Sequence, residues 1–186
     1  PRGRLEEHVE TDLAPYPLWV QNGLITVTGG STDYMTDYKY IVSHLQELRD
    51  RLGLTYLGIG IDPHNAAGAL QDLESLGCPV VTITQSARNL NDATVAIQLL
   101  TKSGSLEYDE TDELLTWSMV NAAIVRNSFE EIKVDKQPGA RFKRIDPVDA
   151  VIDAHTLMLQ TSGTDSGAVD VSNELENYLA LMGWKT

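Results

Sequence analysis

Two groups of aspartates stand where acidic side chains could act together. Asp62 directly follows segment 56–61, which is apolar, spaced by glycines and typical of a buried strand. Sites in open α/β sheets collect at the carboxyl ends of strands, so a carboxylate here would point into such a site. Asp149 and Asp153 follow Asp146 at offsets that place all three side chains on one face of a helix. A cation beside this stripe would relieve the repulsion among its carboxylates.

A strand end and a helix start would together present hard oxygen ligands. Such ligands suit Mg²⁺ or Mn²⁺. Two ions about 3.5–4 Å apart can activate water and stabilise the leaving oxygen in phosphodiester cleavage. The four histidines and the single cysteine show no zinc-ligand spacing, which points away from zinc.

The same acids also have a purely structural interpretation. Asp62 and Asp146 each precede a proline, and Asp-Pro is a common way to begin a helix. Asp149 and Asp153 could be solvated residues on an exposed face, where like charges weaken a helix by roughly 0.2–0.5 kcal/mol per pair. The residues alone leave both interpretations open.

The one dense basic stretch, segment 135–144, leads straight into Asp146. Cations placed there could grip phosphate beside the acids, and phosphate contacts position DNA without reading its sequence. The alternative is a solvated loop. The candidate phosphate-binding residues are Lys136, Arg141, Lys143 and Arg144.

Strands alternate with helices along the chain, which predicts an α/β layered fold. The predicted strands are 24–28, 56–61, 80–83 and a hairpin of 123–126 with 132–134. The predicted helices are about 37–52, 62–76, 89–103, 112–121 and 146–160. Residues 161–170 are small and polar and predict a linker, followed by a short amphipathic helix over 173–181.

Composition excludes several classes of protein. The hydrophobic content of 42% suits a globular core, and no run approaches the ~18 apolar residues that a membrane span needs. A formal net charge of −13 argues against a protein that simply coats nucleic acid, although it allows an enzyme that holds cations. The lone Cys78 and the lack of a signal peptide fit a reducing cytosol. No GxxxxGK[ST] phosphate loop occurs.

Four segments, in order, resemble the nuclease domain of tailed-phage terminase large subunits. LAPYPLWVQNGLITVTGGSTDYMTDYKYI resembles the family's PYxxW region, and YLGIGIDPHNAAGALQDLESLGCPVVTITQS resembles its strand-Asp segment with the next helix and strand. LLTKSGSLEYDETDELLTWSMVNAAIV resembles its LxWxxxN segment, and KRIDPVDAVIDAHTLML resembles its closing helix. The resemblance runs from about residue 5 to residue 160.

The resemblance implies a ribonuclease H-like mixed sheet flanked by helices, which cuts double-stranded concatemeric DNA with Mg²⁺ or Mn²⁺, two ions being expected. Of the family's three acids, the second maps to Asp62 and the third to Asp146, with Asp149 as an assisting metal ligand. The first acid is expected upstream of Pro1, so a nuclease domain over 1–160 would lack its first strands. Segment 161–186 would be the linker and helical tail. The implied partners are DNA, the terminase small subunit and the portal protein, in the host cytoplasm.

Two alternatives remain at this point. Another ribonuclease H-like nucleotidyl transferase, such as a transposase or resolvase, would share the metal chemistry, but the PYxxW and LxWxxxN segments speak against it. A non-catalytic module could instead dock partners through its acidic surface and its C-terminal helix.

Overall fold

The computed structural model describes residues 1–30, 33–64, 69–137, 139 and 142–162. A short 3-10 turn over Arg2–Arg4 precedes the first α-helix. The α-helices are α1 (Leu5–Asp12), α2 (Tyr16–Gln21), α3 (Tyr38–Leu52), α4 (Leu70–Glu74), α5 (Ala87–Ser103), α6 (Glu113–Asn121) and α7 (Asp146–Ser162). The strands are β1 (Ile59–Ile61), β2 (Val80–Thr82), β3 (Ala122–Arg126) and β4 (Ile132–Lys136).

The strands form two small sheets with different topologies. β1 and β2 are parallel, with Gly60 opposite Val81, and the connection between them contains α4. β3 and β4 form an antiparallel hairpin with Ile124 opposite Val134. Because β1 and β2 run in the same direction, the residues that follow them emerge at the same edge of their sheet.

Two apolar clusters hold these elements together. On one side of the parallel sheet, Val42 of α3 and Leu73 of α4 belong to a cluster against which Ile59 and Ile61 pack. On the other side, buried side chains join α5 and α7 to the end of β2. They are Ile83, Leu90, Ala93, Ile97, Ile152 and Leu157. α7 therefore packs over the face of β1 opposite to α3 and α4.

Capping residues account for where the long helices begin and end. The side chains of Asp37 and Ser86 accept hydrogen bonds from backbone amides in the first turns of α3 and α5. Gly53 and Gly104 end these two helices with positive φ angles of 65° and 70°, a conformation that glycine adopts without steric strain. These local signals explain why α3 and α5 match the helices predicted from the sequence closely.

The predicted α/β class is confirmed as a mixed α/β structure, but two predicted elements are wrong in detail. Residues 24–28 are not a strand. The amides of Leu24 and Ile25 donate to the Trp19 carbonyl at 2.8 and 3.3 Å, which wraps the chain around the end of α2. The helix predicted over 62–76 is helical only at Leu70–Glu74 among the described residues.

Two further expectations concern other parts of the chain. The predicted linker and tail, from residue 163 onward, lie outside the described residues. Within the described part, no helix is both long and apolar enough to cross a bilayer.

Candidate active site

The two faces of β1 explain how Asp62 is presented. Side chains alternate along a strand, so Ile59 and Ile61 face the α3 cluster, whereas Gly58, Gly60 and Asp62 share the opposite face, toward α7. Atoms of Ile83 and of α7 lie close to this face at Gly58 and Gly60. A Cβ on Gly60 would sit 3.0 Å from Ile83 Cγ1 and 3.3 Å from the Asp153 carbonyl oxygen. Glycine therefore permits α7 to approach the strand closely.

The direction of α7 follows from a second close approach. A Cβ on Gly58 would lie 3.1 Å from Leu157 Cδ2, so Leu157 is level with Gly58 and Asp153 is level with Gly60. The helix thus runs antiparallel to β1. Asp149 therefore lies about one helical turn (~6 Å) from Asp153, in the direction in which β1 runs. Asp146 then lies nearly one helical turn beyond Asp149.

Gln85, which follows β2, holds the side chain of Asp153 on α7. Gln85 Nε2 donates to both carboxylate oxygens of Asp153, at 2.9 and 3.1 Å, and to the Ile83 carbonyl at 3.2 Å. Burial raises the pKa of Asp153, the hydrogen bond from Gln85 lowers it, and the charge of Asp62 raises it again, with a net upward shift. Asp62 and Asp153 are therefore electrostatic neighbours.

Among these carboxyls, Asp149 has the most strongly shifted pKa. Burial is the largest cause and raises its pKa, and the charges of Asp146, Asp153 and Asp135 raise it further. The ammonium of Lys133 acts in the opposite direction, and the resulting pKa is about 7. Asp149 thus occupies a half-buried position in which negative charge is poorly compensated, a pattern common at functional sites.

Asp62 itself is largely accessible. Its side chain is 47% exposed. Asp62 Oδ1 accepts from the backbone amide of His64 at 3.0 Å and lies 3.2 Å from His64 Nδ1. Asp62 therefore forms a local hydrogen-bonded turn, as the structural interpretation expects. Both contacts use Oδ1, so Oδ2 can still accept from another ligand.

Asp146 begins α7 and faces a different environment. It lines a cavity of about 370 Å³ together with Tyr16, Trp117, Arg144 and Pro147, among others. The electrostatic neighbours of Asp146 include Tyr16, Arg144 and Asp149. The charges of Asp146 and Asp153 both act on Asp149, and the charge of Asp62 acts on Asp153.

Arg144 forms an ion pair with the buried side chain of Asp12. Its Nε lies 2.9 Å from Asp12 Oδ2, and the Asp12 side chain is only 1% exposed. Tyr16 donates to the same carboxylate oxygen at 2.8 Å, and Arg144 Nη2 lies 3.2 Å from His8 Nδ1. This network ties α1 and α2 to the residues before α7, so Arg144 has a structural partner that the sequence did not reveal.

The other predicted phosphate-binding residues are placed differently. Lys136 ends β4 and is exposed. Lys143 Nζ lies 3.5 Å from Gln137 Oε1. Arg141 lies outside the described residues. Among the described residues of the predicted set, Arg144 thus forms an ion pair with Asp12, whereas the charge of Lys136 acts on the neighbouring Asp135.

Sequence reasoning left four of these residues out of the site. Asp153 was recognised as part of the acidic stripe, but its neighbour Gln85 is 68 residues away along the chain. Lys133 and Asp135 form an ion pair at 3.2 Å on the face of β4 where alternation places both. A usable signal existed only for Gln85, which follows β2 as Asp62 follows β1.

The donor chemistry of the site suits a hard divalent cation, although the ligand set is not complete. The carboxylate oxygens of Asp62, Asp146, Asp149 and Asp153 are of the type that Mg²⁺ and Mn²⁺ prefer, and the charge around Asp149 is one that a cation would compensate. Within the described ranges, no three carboxylate, histidine or cysteine side chains are arranged to hold an ion. At least one further ligand or a rearrangement would be needed.

Comparisons with known proteins agree with the resemblance inferred from the sequence. Residues 1–162 match the family described as "Terminase large subunit, endonuclease domain". The large terminase subunit of Enterobacteria phage HK97 is 28% identical over 138 residues, which cover 73% of this chain and 26% of that protein. The crystal structure of the HK97 large terminase superposes with a TM-score of 0.69 at 26% identity, covering 83% of this chain and 31% of that one. The chain therefore spans about a quarter of the length of this curated relative, and it belongs to the terminase large subunit endonuclease-domain family.

Proposed function

We propose that this chain is the nuclease part of a viral DNA-packaging terminase, which cuts double-stranded concatemeric DNA with the help of divalent cations. The single observation that carries the proposal is the close antiparallel packing of α7 on β1, in which the Asp153 backbone lies against Gly60, two residues before Asp62. It supports a site in which acids from distant parts of the chain act together at the end of the parallel sheet. A ribonuclease H-like arrangement of the complete sheet is part of the same proposal.

The acids have distinct tasks in this proposal. Asp62 and Asp146 are the catalytic carboxylates and metal ligands, and Asp149 assists as a third acid. Mg²⁺ or Mn²⁺, two ions in all, would activate water and stabilise the leaving oxygen of the cleaved phosphodiester. The carboxylates of Asp62 and Asp146 orient the reacting groups and keep the site strongly negative until cations and DNA arrive.

DNA would be held by the basic residues around the start of α7. Lys136 and Lys143 are the best placed of the described cations, because Lys136 is exposed and Lys143 Nζ contacts the amide oxygen of Gln137. Arg144 contributes mainly by fixing the start of α7 through Asp12. Arg141 completes the proposed set. The terminase small subunit and the portal protein are the proposed protein partners, and the host cytoplasm is the proposed location.

Cleavage by the intact large subunit tests this proposal. Plasmid DNA would be incubated with Mg²⁺ or Mn²⁺ and with the parent protein, Asp62→Asn or a matched control, Asp50→Asn, whose side chain is 70% exposed at the end of α3. We expect cleavage by the parent and the control, but none by Asp62→Asn. Parent-like cleavage by Asp62→Asn would reject the proposed site. A folded parent that binds DNA without cutting it would favour the docking module instead.

A further inference from the structure

An apolar groove of about 310 Å³ lies between the second half of α5, the β3–β4 hairpin and the start of α7. The buried side chains of Ile97, Val148 and Ile152 line it, together with the half-buried Val134. Ile124 of β3 also lines the groove, although 45% of this residue is exposed. Covering these side chains with an apolar partner would remove them from water, so the groove is a possible docking surface.

The sequence supplies an apolar segment of suitable length after α7. Leu175, Tyr178, Leu179 and Met182 follow one another at i, i+3, i+4 and i+7, so they share one face of the amphipathic helix predicted from 173 onward. A helix over 173–181 would be ~14 Å long. The stretch of α5 that lines the groove, 94–102, is ~12 Å long, so the two lengths match. Helices commonly dock in this way, with apolar side chains at this spacing placed in a groove.

The chain between α7 and this segment has the right length to reach the groove. α7 ends at Ser162, and its groove-lining residues Val148 and Ile152 lie ~15–21 Å back along the helix axis. Residues 163–172 are mostly small and polar, and a flexible chain of this length spans ~16–19 Å on average. Because the two lengths agree, the effective concentration of the segment at the groove is near its maximum, on the order of millimolar.

We propose that segment 173–182 docks as an amphipathic helix into this groove of the same chain. Its apolar face covers Ile124 and the buried side chains around it. The exposed Lys102, which also lines the groove, is opposite in charge to Glu174 and Glu176 of the segment. The docked helix would join α5, the hairpin and α7 from outside, and this role does not depend on the proposed metal site.

Hydrogen–deuterium exchange in the intact large subunit tests the proposal, because docked backbone amides exchange slowly. Leu179→Asp places a charge on the apolar face of the segment, and Ala180→Asp, on its opposite face, is the matched control. Ile124→Asp places a charge in the groove. Its control is Val120→Asp, which changes a 67% exposed residue of α6 outside the groove. Amides of α5 report on the fold, and Ile124→Ser replaces Ile124→Asp if these amides lose their protection.

In the parent, we expect amides of segment 175–182 to exchange ~10-fold or more slowly than in a free peptide of the same sequence, since the effective concentration is high. Leu179→Asp and Ile124→Asp should each remove most of this protection. Ala180→Asp and Val120→Asp should keep it. Tenfold dilution of the protein should leave the protection unchanged, because the contact forms within one chain.

Three results would overturn the proposal. In the first, the segment exchanges as fast in the parent as in the free peptide. In the second, Leu179→Asp removes the protection but the groove variant keeps it, which places the helix elsewhere. In the third, protection falls on dilution, which assigns the groove to a second copy. None of these results concerns cleavage, so the proposed function is tested separately by Asp62→Asn.

Discussion

Asp12 is buried and Asp149 is half-buried, and the charges that surround the two carboxyls have opposite signs. Burial raises the pKa of each carboxyl. At Asp12, hydrogen bonds from Arg144 and Tyr16 outweigh burial and hold the pKa below its ordinary value. At Asp149, the neighbouring carboxylates add to burial and bring the pKa to about 7. Burial alone therefore does not decide the direction of the pKa shift, whereas the charge of the partners does.

The negative charges of Asp12 and of the α7 stripe are compensated to different extents. Asp12 joins α1 to the start of α7 through Arg144, and its negative charge is compensated within the protein. The stripe on α7 has Lys133 as its nearby cation and several carboxylates around it. Negative charge left uncompensated in a folded protein destabilises it unless a ligand supplies the missing positive charge. The stripe should therefore lower the stability of the metal-free protein.

The largest effect is expected from the acid at the start of α7. In the intact large subunit, Asp146→Asn should lower metal-dependent cleavage by more than the ~10–100-fold typical for an outer-shell partner. The fold should stay nearly intact, because asparagine also caps helices well. Asp149→Asn should reduce cleavage less. Rates and thermal unfolding would be measured together, and full activity of Asp146→Asn would assign that residue to helix capping alone.

The second-largest effect is expected on the free energy of unfolding, which should change in opposite directions in the Asp12 and Asp149 variants. Asp12→Asn removes the charged partner of Arg144 and should lower the free energy of unfolding by about 1–3 kcal/mol. Asp149→Asn should instead raise it in metal-free buffer at pH 8, because it removes a poorly compensated charge. Urea denaturation would measure both, with the exposed Glu10→Gln on α1 as the control. Equal decreases for both variants would contradict the comparison.

The dependence of stability on pH should have opposite signs at the two sites. The pKa of Asp149 is raised from 3.8 to about 7, so between these values the folded state binds more protons than the unfolded state. Its contribution is present at pH 4 and is lost as the pH rises through about 7. The depressed pKa of Asp12 has the reverse effect, because its contribution is present above the unfolded pKa and lost as the pH falls through the folded pKa.

A pH series of urea denaturation curves would detect this difference. Asp149→Asn should flatten the decline between pH 5 and pH 8 in metal-free buffer. Asp12→Asn should change the acid side of the profile instead. If Asp149→Asn leaves the decline between pH 5 and pH 8 as steep as in the parent, the titrating group lies elsewhere.

The smallest effect concerns the basic residues. Replacing Lys136 and Lys143 by alanine should weaken DNA binding similarly for all sequences. The salt dependence should become shallower by about 0.9 log units for each phosphate that the protein no longer neutralises. Arg144→Ala should combine any such change with lower stability, because it also breaks the pair with Asp12. Unchanged affinity with parallel salt slopes for Lys136→Ala and Lys143→Ala would move the DNA-binding surface elsewhere.

Local signals in the sequence predicted much of this arrangement. The Gly-x-Gly-x-Asp pattern placed Asp62 at the end of β1, and Asp-Pro placed Asp146 at the start of α7. The bond between Gln85 and Asp153 and the ion pair of Arg144 with Asp12 were not predictable, because each joins residues that are distant in sequence. The strand predicted over 24–28 failed for a related reason. β-branched residues form a strand only where a partner strand lies beside them.

Gly58 and Gly60 also determine how a change at one end of α7 moves its other end. The helix touches the strand at Asp153 and Leu157, which are ~6 Å apart along its axis, and Asp146 lies ~10 Å beyond Asp153 on the other side. A methyl group at position 58 would push Leu157 away from the strand. If α7 then rotated about Asp153, Asp146 would move in the opposite direction by nearly twice the displacement of Leu157. A substitution at a residue that touches no acid could thus reset the spacing between Asp62 and Asp146.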